Sequence, residues 1–258
     1  MAVNENSLYH GRKVFFLYPP ALIRNQVIEE LAQDEFEVYE ARNGAGLRQI
    51  LVNYNDSIVF ASINAGMRDS EWDEWIRGIA GGQSNFGIDI GIIATIADES
   101  IMRKYLDNFR IRCGMTVLNS DPAVIKNRLA LILNSVNAKG RRKHIRALID
   151  SDANAAVNFP MNGTFVNAAI KDISAAGFSC FFRDDPELSK NTMFKEMQIC
   201  LQNQIIKADG MVFGSRNDGS EKCYVVLFDP HIDPEAKTKI RQYIQSVLQK
   251  IMNDELKQ

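Results

Sequence analysis

Lys139-Gly140-Arg141-Arg142-Lys143-His144-Ile145-Arg146 places five cations within eight residues of a chain whose formal charge is −2. It is also where one hydrophobic periodicity ends and another begins. Residues 1–137 carry 13 Lys/Arg against 17 Asp/Glu, and residues 138–258 carry 17 against 15. Positive charge is therefore concentrated at the junction, while the whole chain exerts no general pull on nucleic acid or an anionic membrane. The length of 258 residues suits one large domain or two ordinary ones, each able to bury a core.

Before this stretch, short apolar runs alternate with segments of helical period. Lys13–Leu17, Phe36–Tyr39, Ser57–Ser62, Ile88–Thr95 and Cys113–Leu118 read as strands. Ile23, Val27, Ile28 and Leu31 mark a helix, as do Leu47, Ile50, Leu51 and Tyr54, and then Trp72, Trp75, Ile76 and Ile79. A further helix is expected over about 98–107. Asp121-Pro122 opens the last of this half, with Asp capping free amides and Pro fitting the first turn. Five βα units in succession imply a parallel sheet covered on both faces.

After Gly140 the pattern becomes one of short alternating strands. They are read at Ile145–Ile149, Ala155–Phe159, Thr164–Ile173, Phe178–Phe182, Met197–Ile206, Gly210–Gly214 and Cys223–Phe228. Met161-Asn162-Gly163, Ala176-Gly177, Ala208-Asp209-Gly210 and Asn217-Asp218-Gly219 supply turn signals between them. This spacing implies an antiparallel barrel or sandwich. Arg183–Phe194 reads as a polar loop. Asp233-Pro234-Glu235 starts a closing helix whose stripe is Ile240, Tyr243, Ile244, Val247, Leu248 and Ile251, expected to pack on the barrel.

Two short signals carry recognition chemistry. Arg142 and Arg146 are four apart, a spacing that puts both on one face of a helix or a strand. A guanidinium fork suits phosphate oxygens and the O6/N7 edge of guanine, and Arg141 adds a third fork. Asp172 and Ser174, two apart near a strand end, share a face. A carboxylate there accepts from guanine's N1–H and N2–H donors, and Gly177 permits a tight turn and close approach. Each piece has a plainer reading: a solvated basic linker, and a hairpin with a capping Asp and Ser. Their occurrence together, in order, around the first strands of a barrel favours one site for an anionic guanine ligand.

Arg141-Arg142-Lys143-His144-Ile145-Arg146 followed by Asp172-Ile173-Ser174-Ala175-Ala176-Gly177 resembles the RxxxR and D/NxSxxG signatures of the PilZ domain family, bacterial receptors for cyclic di-GMP. The resemblance covers roughly residues 138–258. It implies a cyclic di-GMP site made of Arg141, Arg142, Arg146, Asp172, Ser174 and Gly177, with cyclic di-GMP as ligand and no cofactor. Gly140 stands where many members have Gln. The family's linker folds over its ligand and moves the neighbouring domain. The first half resembles a response-regulator receiver, but the carboxylates and Lys of a working receiver are missing. Pro19-Pro20 follows the first strand, Ala61-Ser62-Ile63-Asn64 ends the third and Asn119-Ser120 the fifth, with Thr95 matching at the fourth. A site without those carboxylates does not hold magnesium in the usual way, so this half is expected not to be phosphorylated.

The expected architecture is an α/β receiver-like domain with a five-stranded parallel sheet (1–137), then a PilZ-like antiparallel β-barrel with a C-terminal helix (138–258). The expected function is a cyclic di-GMP receptor that couples binding at the interdomain linker to domain rearrangement and control of a protein partner. The alternatives are a nucleic-acid binder using the basic linker and a PilZ-like adaptor that binds no nucleotide. No nucleophile–base set or GxxxxGK[ST] loop suggests an enzyme. Cys113, Cys180, Cys200 and Cys223 lack metal-site spacing, as do His10, His144 and His231, so no metal is expected and free thiols in a reducing compartment are. The N-terminus lacks a signal peptide's apolar stretch and no run reaches membrane-spanning length. A cytoplasmic protein, monomeric or weakly dimeric, with no membrane insertion and no nucleic-acid partner, is the expectation.

Overall fold

The computed structural model describes residues 10–80, 87–109, 111–149, 155–219 and 221–257. The expectation about the N-terminus falls largely on residues 1–9, outside the described residues. The chain divides into two compact units, residues 1–143 with 249–258, and residues 144–248.

In the first unit β1 (Val14–Leu17), β2 (Val38–Ala41), β3 (Ile58–Ser62), β4 (Asp89–Ala94) and β5 (Met115–Val117) form one parallel sheet in the order β2-β1-β3-β4-β5. This is the flavodoxin-like doubly wound order. Every residue of β1, β3 and β4 is buried, which is why these strands read as continuous apolar runs rather than alternations. The connecting helices begin where the sequence supplies caps. Asn43 Oδ1 accepts from the Gly46 amide (3.0 Å), Asp98 Oδ1 from Ile101 (2.8 Å) and Asp121 Oδ1 from Ala123 (2.9 Å). Trp72 and Trp75 are buried, and Phe16 stacks on Phe60 at 5.2 Å between ring centres.

The carboxyl ends of such strands are where open α/β sheets bind ligands. Here the Tyr18 hydroxyl accepts from the Gly44 amide (3.1 Å), and Asn64 Oδ1 accepts from the Thr95 amide (2.8 Å). The amino ends are tied by one residue to which the sequence reading assigned no role. Arg12, 8% exposed, pairs with Asp89 Oδ2 (2.7 Å) and Asp56 Oδ1 (3.0 Å). It also donates to the carbonyls of Asp56, Ser57, Gly87 and Val136. It thereby joins the start of β3, the approach to β4 and the end of the helix Pro122–Ser135.

The second unit contains β6 (Arg146–Leu148), β7 (Ala155–Met161), β8 (Thr164–Ser174), β9 (Gly177–Phe182), β10 (Met193–Leu201), β11 (Gln204–Asp218) and β12 (Glu221–Phe228). Pairing runs β8-β7-β10-β11-β12-β9 and closes through β8–β9, so six strands make a barrel without open edges. β6 pairs with β8 through Arg146↔Ser174, Ala147↔Ile173 and Leu148↔Asp172. A strand has two edges, and β9 holds one of them over residues 168–174. β6 therefore extends the edge that β7 covers earlier, at residues 164–169. The barrel core holds Phe159, Ile170, Ile173, Phe178, Met197 and Val226. The polar segment before β10 is tethered by Asp185, which accepts from the Tyr224 hydroxyl and pairs with Lys222. The Tyr224 hydrogen bond is the largest of the effects that hold the Asp185 carboxyl below its ordinary range.

Two sequence expectations fail here. Met197–Ile206 is not one strand, because Gln202, at φ 54°, turns the chain between β10 and β11. Asn203 is the turn's one sequence signal, and it follows the left-handed position rather than occupying it. Ala208-Asp209-Gly210 is not a turn but the interior of β11. Gly210 is there for packing: a Cβ would lie 2.5 Å from Met197 Cε and 2.7 Å from the Leu227 carbonyl.

The last helix, Pro234–Glu255, sets Ile240, Tyr243 and Ile244 in the barrel core. The expected stripe does not continue to Ile251, which is 38% exposed; Met252 and Leu256 are buried instead. These residues belong to the first unit. There Gln249 Nε2 donates to the Glu40 carbonyl (2.9 Å) and the Tyr54 hydroxyl to Glu255 (2.9 Å).

Candidate functional site

The β8–β9 hairpin carries the second signal, and its geometry begins with an irregularity. Ile170 and Ile173 both lie in the barrel core although they are an odd number of positions, three, apart. In a regular strand Ile170 and Asp172 would share a face. The register slips by one residue between Ile170 and Asp172, so Lys171 is an added residue on β8. Such a bulge re-aims the side chains that follow it. It keeps Ile173 in the core and moves Asp172 and Ser174 together to the other face.

Asp172 is 3% exposed. Its Oδ1 pairs with Arg146 Nη1 at 3.1 Å, and its Oδ2 accepts a hydrogen bond from the Ser179 hydroxyl. The reach to Arg146 follows from register. Arg146 stands opposite Ser174, one diagonal step from Asp172. The Arg146 side chain is 41% exposed, so the pair has one wet partner and one dry one. Its guanidinium carries five donors in a planar fork. One nitrogen engages Asp172, leaving others to address an external acceptor.

Ser174 Oγ donates to the Gly177 carbonyl (3.1 Å) and accepts from the Ala176 amide (3.3 Å). Its hydroxyl thus closes the two-residue turn Ala175-Ala176. Gly177 answers a close approach rather than only a turn. A Cβ there would lie 2.2 Å from the Val226 carbonyl oxygen and 2.9 Å from Leu227 Cα, both backbone atoms of β12. Gly177→Ala is therefore expected to cost about 2–4 kcal/mol of barrel stability, since β9 and β12 must part to admit the methyl group. Urea unfolding followed by circular dichroism checks this, and an unchanged midpoint would refute it.

The structure thus brings Arg146, Asp172, Ser174 and Gly177 onto adjoining strands of one unit. Arg141 and Arg142 fall in the other unit, where Arg142 Nη1 donates to His10 Nδ1 at 3.0 Å. An arginine only donates, so His10 accepts through an unprotonated Nδ1. Asp172, expected from the sequence to accept from guanine's donors, engages Arg146 through Oδ1 and Ser179 through Oδ2, and each oxygen keeps a further lone pair. Ser179 lies outside both sequence signatures. Its place was legible all the same. A two-residue turn pairs Ser174 with Gly177, Ile173 with Phe178 and Asp172 with Ser179.

No group of three or more His, Cys, Asp or Glu among the described residues could hold a metal ion. Cys113, Cys180 and Cys223 are buried free thiols, and burial pushes Cys113 up to about 12, away from thiolate chemistry. Among the described residues no helix is long and apolar enough to cross a membrane.

The PilZ domain model matches residues 140–246. Among solved structures, the PilZ domain with c-di-GMP of YcgR from Escherichia coli is 13% identical, at a TM-score of 0.38 over 44% of this chain and 96% of that one. The K. pneumonia MrkH–c-di-GMP complex is 19% identical, at a TM-score of 0.38 over 47% of this chain and 57% of that one. The Borreliella burgdorferi PlzA protein in complex with c-di-GMP is 20% identical, at 0.27 over 49% and 50%. No curated protein matches the chain. The signature residues at 141–146 and 172–177, the closed six-stranded barrel and the family match lead to one conclusion: this chain carries a PilZ domain at residues 140–246.

Proposed function

We propose that this protein is a receptor for cyclic di-GMP, with Arg141, Arg142, Arg146, Asp172, Ser174 and Gly177 as its binding set. One observation carries the reading. A carboxylate at 3% exposure is turned out of the barrel core by a bulge and set against a half-exposed guanidinium. A charge in such a place needs partners, and a purely structural strand position would ordinarily hold an apolar residue. The pair offers donors and acceptors side by side, which suits the two polar edges of guanine. Arg141 and Arg142 supply cations for the phosphates.

The finer part of the reading concerns what binding does. Segment 139–146 leads from one unit into the other, with Arg142 in the first and Arg146 in the second. A ligand gripping both arginines changes the arrangement of the units, and through it the hold on a protein partner. The chain acts as a receptor and effector rather than an enzyme.

Titration calorimetry with cyclic di-GMP, run beside GTP and a short oligonucleotide, tests the reading. Saturable micromolar binding of cyclic di-GMP alone is the expected result. Preference for the oligonucleotide, with a steep salt dependence, would replace it with nucleic-acid binding.

A further inference from the structure

We propose that Ser179 is a positioning residue for this site, acting on the ligand through Asp172 without touching it; this rests on the cyclic di-GMP reading above. Ser179 lies on β9, directly across from Asp172, and is 2% exposed. Its neighbours Phe178 and Cys180 point into the barrel core, so Ser179 faces the other way, with Asp172. An ionised carboxylate only accepts, so the serine hydroxyl is the donor to Oδ2.

The geometry gives this hydrogen bond a directional role. A carboxylate held at Oδ1 alone can rotate about its Cβ–Cγ bond, a soft and broad torsion. Held at Oδ2 by Ser179 and at Oδ1 by Arg146, its plane is set. The Arg146 side chain is 41% exposed and has long, flexible torsions, so it is the less constrained of the two partners. Ser179 is a short side chain fixed on a barrel strand, so it supplies the rigid reference. Recognition of a planar base edge requires the acceptor to lie in a given plane, and a supporting hydrogen bond from a packed residue provides that. The pairing Asp172↔Ser179 follows from the two-residue turn, so the sequence D-x-S-A-A-G-x-S encodes the support as well as the motif.

The decisive comparison is Ser179→Thr against Ser179→Val. The two side chains share a shape and differ in the hydroxyl, so any crowding at this buried site is common to both. Cyclic di-GMP affinity by calorimetry is expected to stay within about threefold of wild type for Thr. For Val it should fall roughly 10- to 100-fold below Thr, the range for losing a hydrogen bond to a charged group. A Val variant that melts lower than Thr but binds equally well would show a structural role only and overturn the proposal. Should Val fail to melt cooperatively, a double-variant cycle of Ser179→Ala with Asp172→Ala decides. Ser179→Ala should weaken binding in the Asp172 background and change it less than twofold in the Asp172→Ala background. Equal effects in both would reject action through Asp172. A wild-type protein that does not bind cyclic di-GMP sinks the receptor reading and this proposal together, whereas binding wild type with Val equal to Thr sinks this proposal alone.

Discussion

Arg142→Ala combined with Arg146→Ala is expected to lower affinity for cyclic di-GMP by roughly 10²- to 10⁴-fold. Each charge-assisted hydrogen bond contributes about 1.5–3 kcal/mol, and tenfold corresponds to about 1.4 kcal/mol. The two losses add only so far as the arginines act independently. The structure shows that they sit in different surroundings. Arg142 is bonded to His10 in the first unit, whereas Arg146 is the partner of a buried carboxylate in the second. Removing Arg146 therefore strips Asp172 of its cation, and a buried charge left unpaired destabilises the fold. Arg146→Ala with Asp172→Asn removes the charge along with its partner and separates the two effects. If affinity falls while this pair melts near wild type, the loss belongs to recognition. Calorimetric affinity unchanged in the double arginine variant would remove both residues from the site.

Arg12→Leu is expected to unfold the first unit or weaken it by about 3–5 kcal/mol, the usual cost of breaking a buried ion pair from one side. Asp89 is 4% exposed and would keep only Arg112, whose own side chain is 69% exposed (3.1 Å). The carbonyls of Gly87 and Val136 would lose the Arg12 donor as well, and that of Ser57 would keep the Asp89 amide. Lysine would not restore the arrangement, because a point ammonium cannot reach so many acceptors in one plane. Thermal unfolding monitored through Trp72 and Trp75, both buried in this unit, reads the effect. A transition within about 2 °C of wild type would contradict this account of the network.

These two expectations differ in how far the sequence anticipated them. Arg142 and Arg146 were visible because they stand in a dense basic run at a change of period. Arg12 was not, although its side chain meets two carboxylates and four carbonyls. An Arg-Lys pair before a strand looks like any solvated flank. Only the approach of Asp56, Asp89 and the Val136 carbonyl, 44 to 124 residues away, reveals its role. The same holds for the turn at Gln202 in the second unit. Left-handed backbone at a residue other than glycine leaves no mark in composition.

The amino-acid sequence by itself determined that a parallel α/β unit is followed by an antiparallel barrel or sandwich, because burial on two faces or on one writes its period directly into the order of side chains. It also marked Arg141, Arg142, Arg146, Asp172, Ser174 and Gly177 as candidates for recognising an anionic guanine ligand. Tertiary structure alone decided which atoms meet. The bulge at Lys171 sends Asp172 out of the core, β6 lays Arg146 beside it, and the hairpin sets Ser179 beneath it. The physical reason is that periodicity is a local property of one strand, whereas register and bulges come from the pairing of strands distant along the chain.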